Sequence, residues 1–132
     1  MPGCLPRKIF LLLACLWAGV IYYLSSQPGI DVPALFPGQD KLFHLVAFGL
    51  LGFLAMGAVK SGQKGYTVSQ VWFVAALVAL YGLLDETHQY FVPGRTTEVY
   101  DVIADVTGGL LGVLTMYFLA RVLSRRTPGL PK

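Results

Sequence analysis

Residues 73–95 read FVAALVALYGLLDETHQYFVPGR. Twelve residues fit for a lipid interior run straight into two acids, a histidine and an amide, and a proline–glycine turn and an arginine follow. Val71 to Leu84 would make about 21 Å of helix at 1.5 Å per residue, too short for a hydrocarbon core of roughly 30 Å. The helix is therefore expected to continue to Tyr90 or Phe91, where aromatic rings suit a membrane interface. Asp85 and Glu86 then lie within the span. Ionisable groups at such depth face the bundle interior, pair, or line a wet cavity.

The rest of the chain has the same character. Its 132 residues are 55% hydrophobic and 13% charged, with mean hydropathy +0.64. That excludes an ordinary water-soluble domain and points to a membrane protein. Three further apolar runs, Ile9 to Leu24, Leu42 to Val59 and Val102 to Leu123, are separated by segments rich in proline and glycine. The expected architecture is all-α: one domain over residues 1–132, an integral membrane four-helix bundle with helices near 9–25, 41–60, 70–91 and 101–123. The first run could be a signal peptide, but SSQPG follows it without a small-x-small cleavage pattern, which favours a retained helix. Cys4 and Cys15 would be about 16 Å apart on one helix, too far for a disulfide. No low-complexity segment or internal repeat is evident.

Charge sets the expected orientation. With four spans, eight of the ten bases fall on one side: Arg7, Lys8, Lys60, Lys64, Arg121, Arg125, Arg126 and Lys132. All seven acids (Asp31, Asp40, Asp85, Glu86, Glu98, Asp101 and Asp105) share the other side with Lys41 and Arg95. The positive-inside rule makes the basic side cytoplasmic, so both termini are expected inside a bacterial inner membrane crossed four times. The net charge of +3 is then a topology signal and no evidence for nucleic acid. The basic ends would meet membrane lipids.

Helical spacing gathers the polar residues into stripes. Asp40, His44 and Phe48 fall on one face of the second span. Asp85, His88 and Gln89 fall on one face of the third, with Glu86 flanking, and Asp101, Asp105, Gly108 and Gly112 on one face of the fourth. The Gly108–Gly112 step would let a neighbouring helix approach closely, one carrying another polar stripe. Gly49, Gly52, Gly57 and Gly82 read as further packing positions, and Trp17, Tyr22 and Tyr23 as interfacial or lipid-facing. Asp40 is a plausible helix N-cap. Asp85 and Glu86 lie near a helix C-terminus, where negative charge is disfavoured, so they need cations. Arg95, delivered by the PG turn, is expected to pair with Glu86 or Asp101.

DKLFH (Asp40, Lys41, His44), DETHQ (Asp85, Glu86, Gln89), PGR (Pro93–Arg95) and DVIADVTGG (Asp101, Asp105, Gly108), with SSQP after the first span, together resemble the VanZ-like family of small bacterial membrane proteins. The resemblance covers more than half the chain. It departs at Asp105, where many relatives are expected to carry asparagine. The founding member is an accessory protein of glycopeptide-resistance clusters, linked to teicoplanin. The resemblance thus implies an envelope role and supplies no reaction.

Four readings of the polar end compete. Buried polar residues can merely hold helices together, at roughly 0.6–2 kcal/mol per contact. They can instead form a site for an amphiphile: a lipid-linked cell-wall precursor or a lipoglycopeptide. In that site Glu86, His44 and Asp85 would be the catalytic candidates, with Glu86 and His44 as general base and acid. Lys41, Gln89, Arg95, Asp40, Asp101, Asp105 and His88 would bind the substrate, Arg95 and Lys41 holding a phosphate. No G-x-S-x-G and no cysteine on that side supplies a nucleophile, so whether the protein is an enzyme stays open. A divalent metal is a third reading, with ligands among His44, Asp85, Glu86, His88, Asp101 and Asp105. No HExxH or CxxC spacing supports it, so no metal ligand is assigned and no cofactor is required. Proton or solute transport is the fourth, opposed by the apolar inner half of every run. A homo-oligomer remains open.

Overall fold

The computed structural model describes residues 6–28, 35–61 and 65–126, with side chains to Ser124. Asp31, Lys64 and Lys132 of the charge argument, and Cys4, lie outside the described residues, as do the side chains of Arg125 and Arg126. Four helices follow in order: α1 (Arg7–Ser25), α2 (Gln39–Gly57), α3 (Val68–Tyr90) and α4 (Val99–Arg126). All four are long and apolar enough to cross a membrane.

Local signals set the ends. Thr67 opens α3 with a capping box: its hydroxyl accepts from the Gln70 amide at 3.2 Å, and the Gln70 side-chain oxygen accepts from the Thr67 amide at 2.9 Å. The helix then runs 23 residues to Tyr90, about 34 Å, so Asp85 and Glu86 are helical as their depth required. At α2 the N-cap is Gly38, held at φ 81°, and Asp40 sits in the first helical turn. Asp40 is therefore not the cap expected of it. The left-handed turn that glycine supplies already starts the helix, and the Asp40 carboxylate reaches Lys41 instead.

The helices alternate in direction. Arg7 Nε donates to the Ala58 carbonyl at 2.6 Å, joining the start of α1 to the end of α2, and Gln70 joins the start of α3 to the Lys60 carbonyl at 3.0 Å. The opposite end of the bundle therefore collects the C-termini of α1 and α3 and the N-termini of α2 and α4.

Helices α2 and α4 meet backbone against backbone. A Cβ on Gly52 would overlap the Gly109 carbonyl oxygen, one on Gly108 the Leu45 carbonyl oxygen, and one on Gly112 the Gly49 carbonyl oxygen. In lipid, where tails are as apolar as leucine, such close contact is what drives helices together. The neighbour of the Gly108–Gly112 step is thus α2, carrier of the Asp40–His44 stripe. Gly57 makes room for the Phe10 ring, and Gly82 for the Asp105 side chain.

The core contains Phe48, Leu51, Met56, Val74, Val78 and Val113, while Trp72 and Phe73 are each 63% exposed on the outer surface. Apolar groups both inside and outside are the pattern of a bundle solvated by lipid. Helix α1 packs Phe10, Ala14 and Ile21 into this core and is fastened by polar groups as well. Trp17 Nε1 donates to the Ala47 carbonyl at 2.8 Å, and the Tyr81 hydroxyl to the Ala18 carbonyl at 2.7 Å. Trp17 is therefore a half-buried staple between α1 and α2 and not a lipid-facing anchor.

Candidate functional site

The polar residues at the α1 and α3 C-terminal end form two clusters, divided by α3. The first is built by α1 and α3. Asp85 Oδ2 accepts from Ser25 Oγ at 2.8 Å and from Gln89 Nε2 at 2.9 Å, and Gln89 Nε2 also reaches Ser25 Oγ at 3.3 Å. All three residues are buried. Ser26 Oγ donates to the Tyr22 carbonyl at 2.7 Å, so its 3.0 Å contact with His88 Nε2 has the imidazole as donor. The Tyr22 ring lies 4.9 Å from the His88 ring.

Arg95 belongs to this side. Its Nε donates to the Gln27 carbonyl at 3.2 Å and its Nη2 to the Leu24 carbonyl at 2.5 Å. It forms no ion pair with Glu86 or Asp101 among the described residues. The physical reason is the C-terminus of α1, whose last carbonyls lack helical partners and carry the negative end of the dipole. The PGR turn delivers a guanidinium there, and Arg7 does the same for the end of α2.

The second cluster is built by α2, α3 and α4. Lys41 Nζ lies 2.6 Å from Asp40 Oδ2, 2.9 Å from Glu98 Oε2 and 3.4 Å from Asp101 Oδ1. One turn deeper along α2, His44 Nδ1 lies 2.9 Å from Asp105 Oδ1 and 3.8 Å from Glu86 Oε1. Side-chain exposure falls from 17% at His44 to 6% at Glu86 and 0% at Asp105. Gly82 admits the Asp105 side chain; a Cβ there would stand 2.9 Å from Asp105 Cβ and 3.3 Å from the Phe48 ring.

Satisfaction differs sharply within this cluster. Among the described residues neither oxygen of Glu86 has a hydrogen-bond partner, nor does Asp105 Oδ2, and Asp101 Oδ1 has Lys41 at ion-pair distance without a hydrogen bond. A buried carboxylate without hydrogen-bond partners is costly, and most buried polar groups in folded proteins have one. Two residue trios place ligand atoms within 4.8 Å of one another: His44, Glu86 and Asp101, and Asp40, Glu98 and Asp101.

Of the residues singled out in the sequence, Asp40, Lys41, His44, Glu86, Asp101 and Asp105 are brought together, while Asp85, His88, Gln89 and Arg95 face α1. The phosphate-binding pair expected of Arg95 and Lys41 is not formed. One cation caps α1 and the other sits among three carboxylates. Sequence reasoning missed Ser25 and Ser26 as partners of Asp85 and His88, although their place just after an apolar run was the available signal. It also counted Glu98 among the acids without placing it beside Lys41.

A groove of about 260 Å³ opens between α2 and α4, lined by Leu45, Val46, Gly49, Phe53, Gly108, Leu111, Gly112 and Thr115. It begins one residue past His44 on α2 and three past Asp105 on α4, and the glycines that let the backbones touch also form its floor.

Compared with protein-family models, residues 10–121 match the VanZ/LLP1 family. No curated protein and no solved structure matches the chain.

Proposed function

Because the chain belongs to the VanZ/LLP1 family and gathers buried acids at one end of an apolar bundle, we propose that it binds or modifies a cell-envelope amphiphile. Its place is the bacterial inner membrane, with both termini cytoplasmic. Support for that orientation comes from Arg7, Lys8, Lys60 and Arg121 at the end opposite the acids. The amphiphile's polar part meets the recess of His44, Glu86 and Asp101, and its apolar part lies along the α2–α4 groove. The observation that carries this reading is the buried Glu86 carboxylate with no hydrogen-bond partner among the described residues. The occupant must supply hydroxyl or ammonium donors or arrive with a cation, since Lys41 and Arg95 are both engaged. Lipid-linked wall precursors and lipoglycopeptides such as teicoplanin combine polar donors with an apolar anchor, and teicoplanin resistance is the phenotype to test first.

The test is retention. The full-length protein, purified in detergent from a bacterial membrane, is expected to keep an amphiphile visible by native mass spectrometry. Folded Glu86→Gln is expected to lose it, and a host expressing Glu86→Gln to lose any gain in teicoplanin tolerance. An amphiphile bound equally by both proteins, or by neither, would defeat the proposal. A scaffold reading has its own support in the hydrogen-bonded α1–α3 cluster. It prevails if Glu86→Gln and Arg95→Lys both fold and keep the cellular phenotype.

A further inference from the structure

We propose that His44, Glu86 and Asp101 form a binding site for one divalent transition-metal ion of the zinc–manganese class, with Asp105 positioning the His44 ring. The ion would be a component of the protein whether or not an amphiphile docks beside it.

Three helices each contribute one ligand: α2 gives His44, α3 Glu86 and α4 Asp101. Their ligand atoms, counting one ring nitrogen of His44, lie within 4.8 Å of one another, so some point lies within about 4.8/√3, or 2.8 Å, of all three. Metal bonds to imidazole and carboxylate are about 2.0–2.2 Å long, so the side chains must close by less than about 1 Å. Two of the ligands are buried acids, and Glu86 offers both oxygens without any competing hydrogen bond.

The neighbouring trio is an internal control. Asp40, Glu98 and Asp101 are equally close together, but the Lys41 ammonium already lies among them at 2.6, 2.9 and 3.4 Å. Among the described residues no lysine or arginine does this for Glu86. Its nearest basic atom is His44 Nδ1 at 3.8 Å, and that nitrogen is engaged by Asp105 at 2.9 Å. A carboxylate on one ring nitrogen of a ligating histidine fixes its tautomer and orientation. Gly82 provides the room for that contact. One imidazole with carboxylates is a borderline donor set, better suited to zinc or manganese than to magnesium or calcium, which favour oxygen alone. Three protein ligands leave a position open for water or for an oxygen of a headgroup.

The experiment uses the full-length protein in detergent with no amphiphile added. The chain is stripped with EDTA and titrated with Mn²⁺ or Zn²⁺, and metal content and thermal unfolding are followed. Pulsed EPR of the Mn²⁺ form reads nitrogen coupling from a bound imidazole. The expected result is a single ion per chain, a rise in unfolding temperature on loading, and nitrogen coupling that survives His88→Gln and vanishes in His44→Gln. Glu86→Gln and Asp101→Asn should each weaken Mn²⁺ binding at least ~10-fold, the lower range seen even for outer-shell changes. Failure to bind either ion, binding undiminished in folded Glu86→Gln, or Mn²⁺ without nitrogen coupling would overturn the site. Should Glu86→Gln not fold, the wild-type coupling and its loss in His44→Gln decide. Metal without a co-purifying amphiphile would sink only the amphiphile reading, and an amphiphile retained by a chain that binds no metal would sink only this one.

Discussion

Asp85 and Glu86 are consecutive, equally buried, and built into opposite surroundings. A helix turns about 100° per residue, so α3 presents Asp85 to α1 and Glu86 to α2 and α4. Asp85 receives hydrogen bonds from Ser25 and Gln89 and helps tie α1 to the bundle. Glu86 receives none among the described residues and stands beside His44. A carboxylate hydrogen-bonded within the fold helps hold the scaffold. One left without hydrogen-bond partners at the same depth, in a recess shared by three helices, is the group on which the proposed site rests.

The largest blow to this contrast is expected from Gly112→Val. Its branched side chain would strike the Gly49 carbonyl and force α2 from α4, at a cost of about 3 kcal/mol or more for an overpacked backbone contact. Hydrogen exchange should rise first in α2 and α4, taking apart the His44–Asp105 side while Ser25–Asp85 holds. Equal loosening of α1 and α3 would mean that the clusters are one unit.

Asp85→Ala against Glu86→Gln is the direct comparison. The first leaves the Ser25 hydroxyl and the Gln89 amide buried without their acceptor, and should cost about 2–3 kcal/mol in thermal or denaturant unfolding in detergent. The second removes a buried carboxyl that has no hydrogen-bond partner among the described residues, and should change the stability of the metal-free protein by less than about 1 kcal/mol, or raise it. A larger loss from Glu86→Gln than from Asp85→Ala would reverse the assignment of scaffold and site.

Arg95→Gln sharpens the scaffold half. It removes the guanidinium from the Leu24 and Gln27 carbonyls, a loss of about 1 kcal/mol, seen as faster amide exchange over the last turn of α1. Exchange unchanged there would mean that the cap contributes nothing. The smallest effect is expected at Glu98. It is half exposed, and Lys41 keeps Asp40 and Asp101 when it goes, so Glu98→Gln should cost no more than about 0.5 kcal/mol. A double-mutant cycle with Lys41→Met reads that coupling, and a value well above this would make the Lys41 trio part of the buried site.

Much of this arrangement was legible before any coordinates. The extension of α3 to Tyr90 followed from the shortness of its apolar run, and the close approach of a polar-striped neighbour to α4 from Gly108 and Gly112, though not that the neighbour is α2. Arg95 was not legible in the same way. Matching bases to acids by charge overlooks backbone carbonyls, which no sequence letter displays, and the end of α1 offered two of them. Trp17 was missed for a related reason, since its partner is the Ala47 carbonyl in mid-helix. Asp40 gave up the capping role because the turn at Gly38 had already set the start of α2.

The sequence by itself determined four apolar helices, their approximate ends, and the gathering of acids at one end. Those features depend on local hydropathy, capping chemistry and charge, each readable within a few residues. Only the tertiary structure decided how each helix is rotated about its own axis, and hence that Asp85 meets α1 while Glu86 meets His44. The reason is the solvent. In lipid the outward face is as apolar as the inward one, so the periodicity that would reveal a buried face in water is flattened, and rotation is settled by fit: Gly82 over Asp105 and Phe48, and glycine backbone against glycine backbone between α2 and α4.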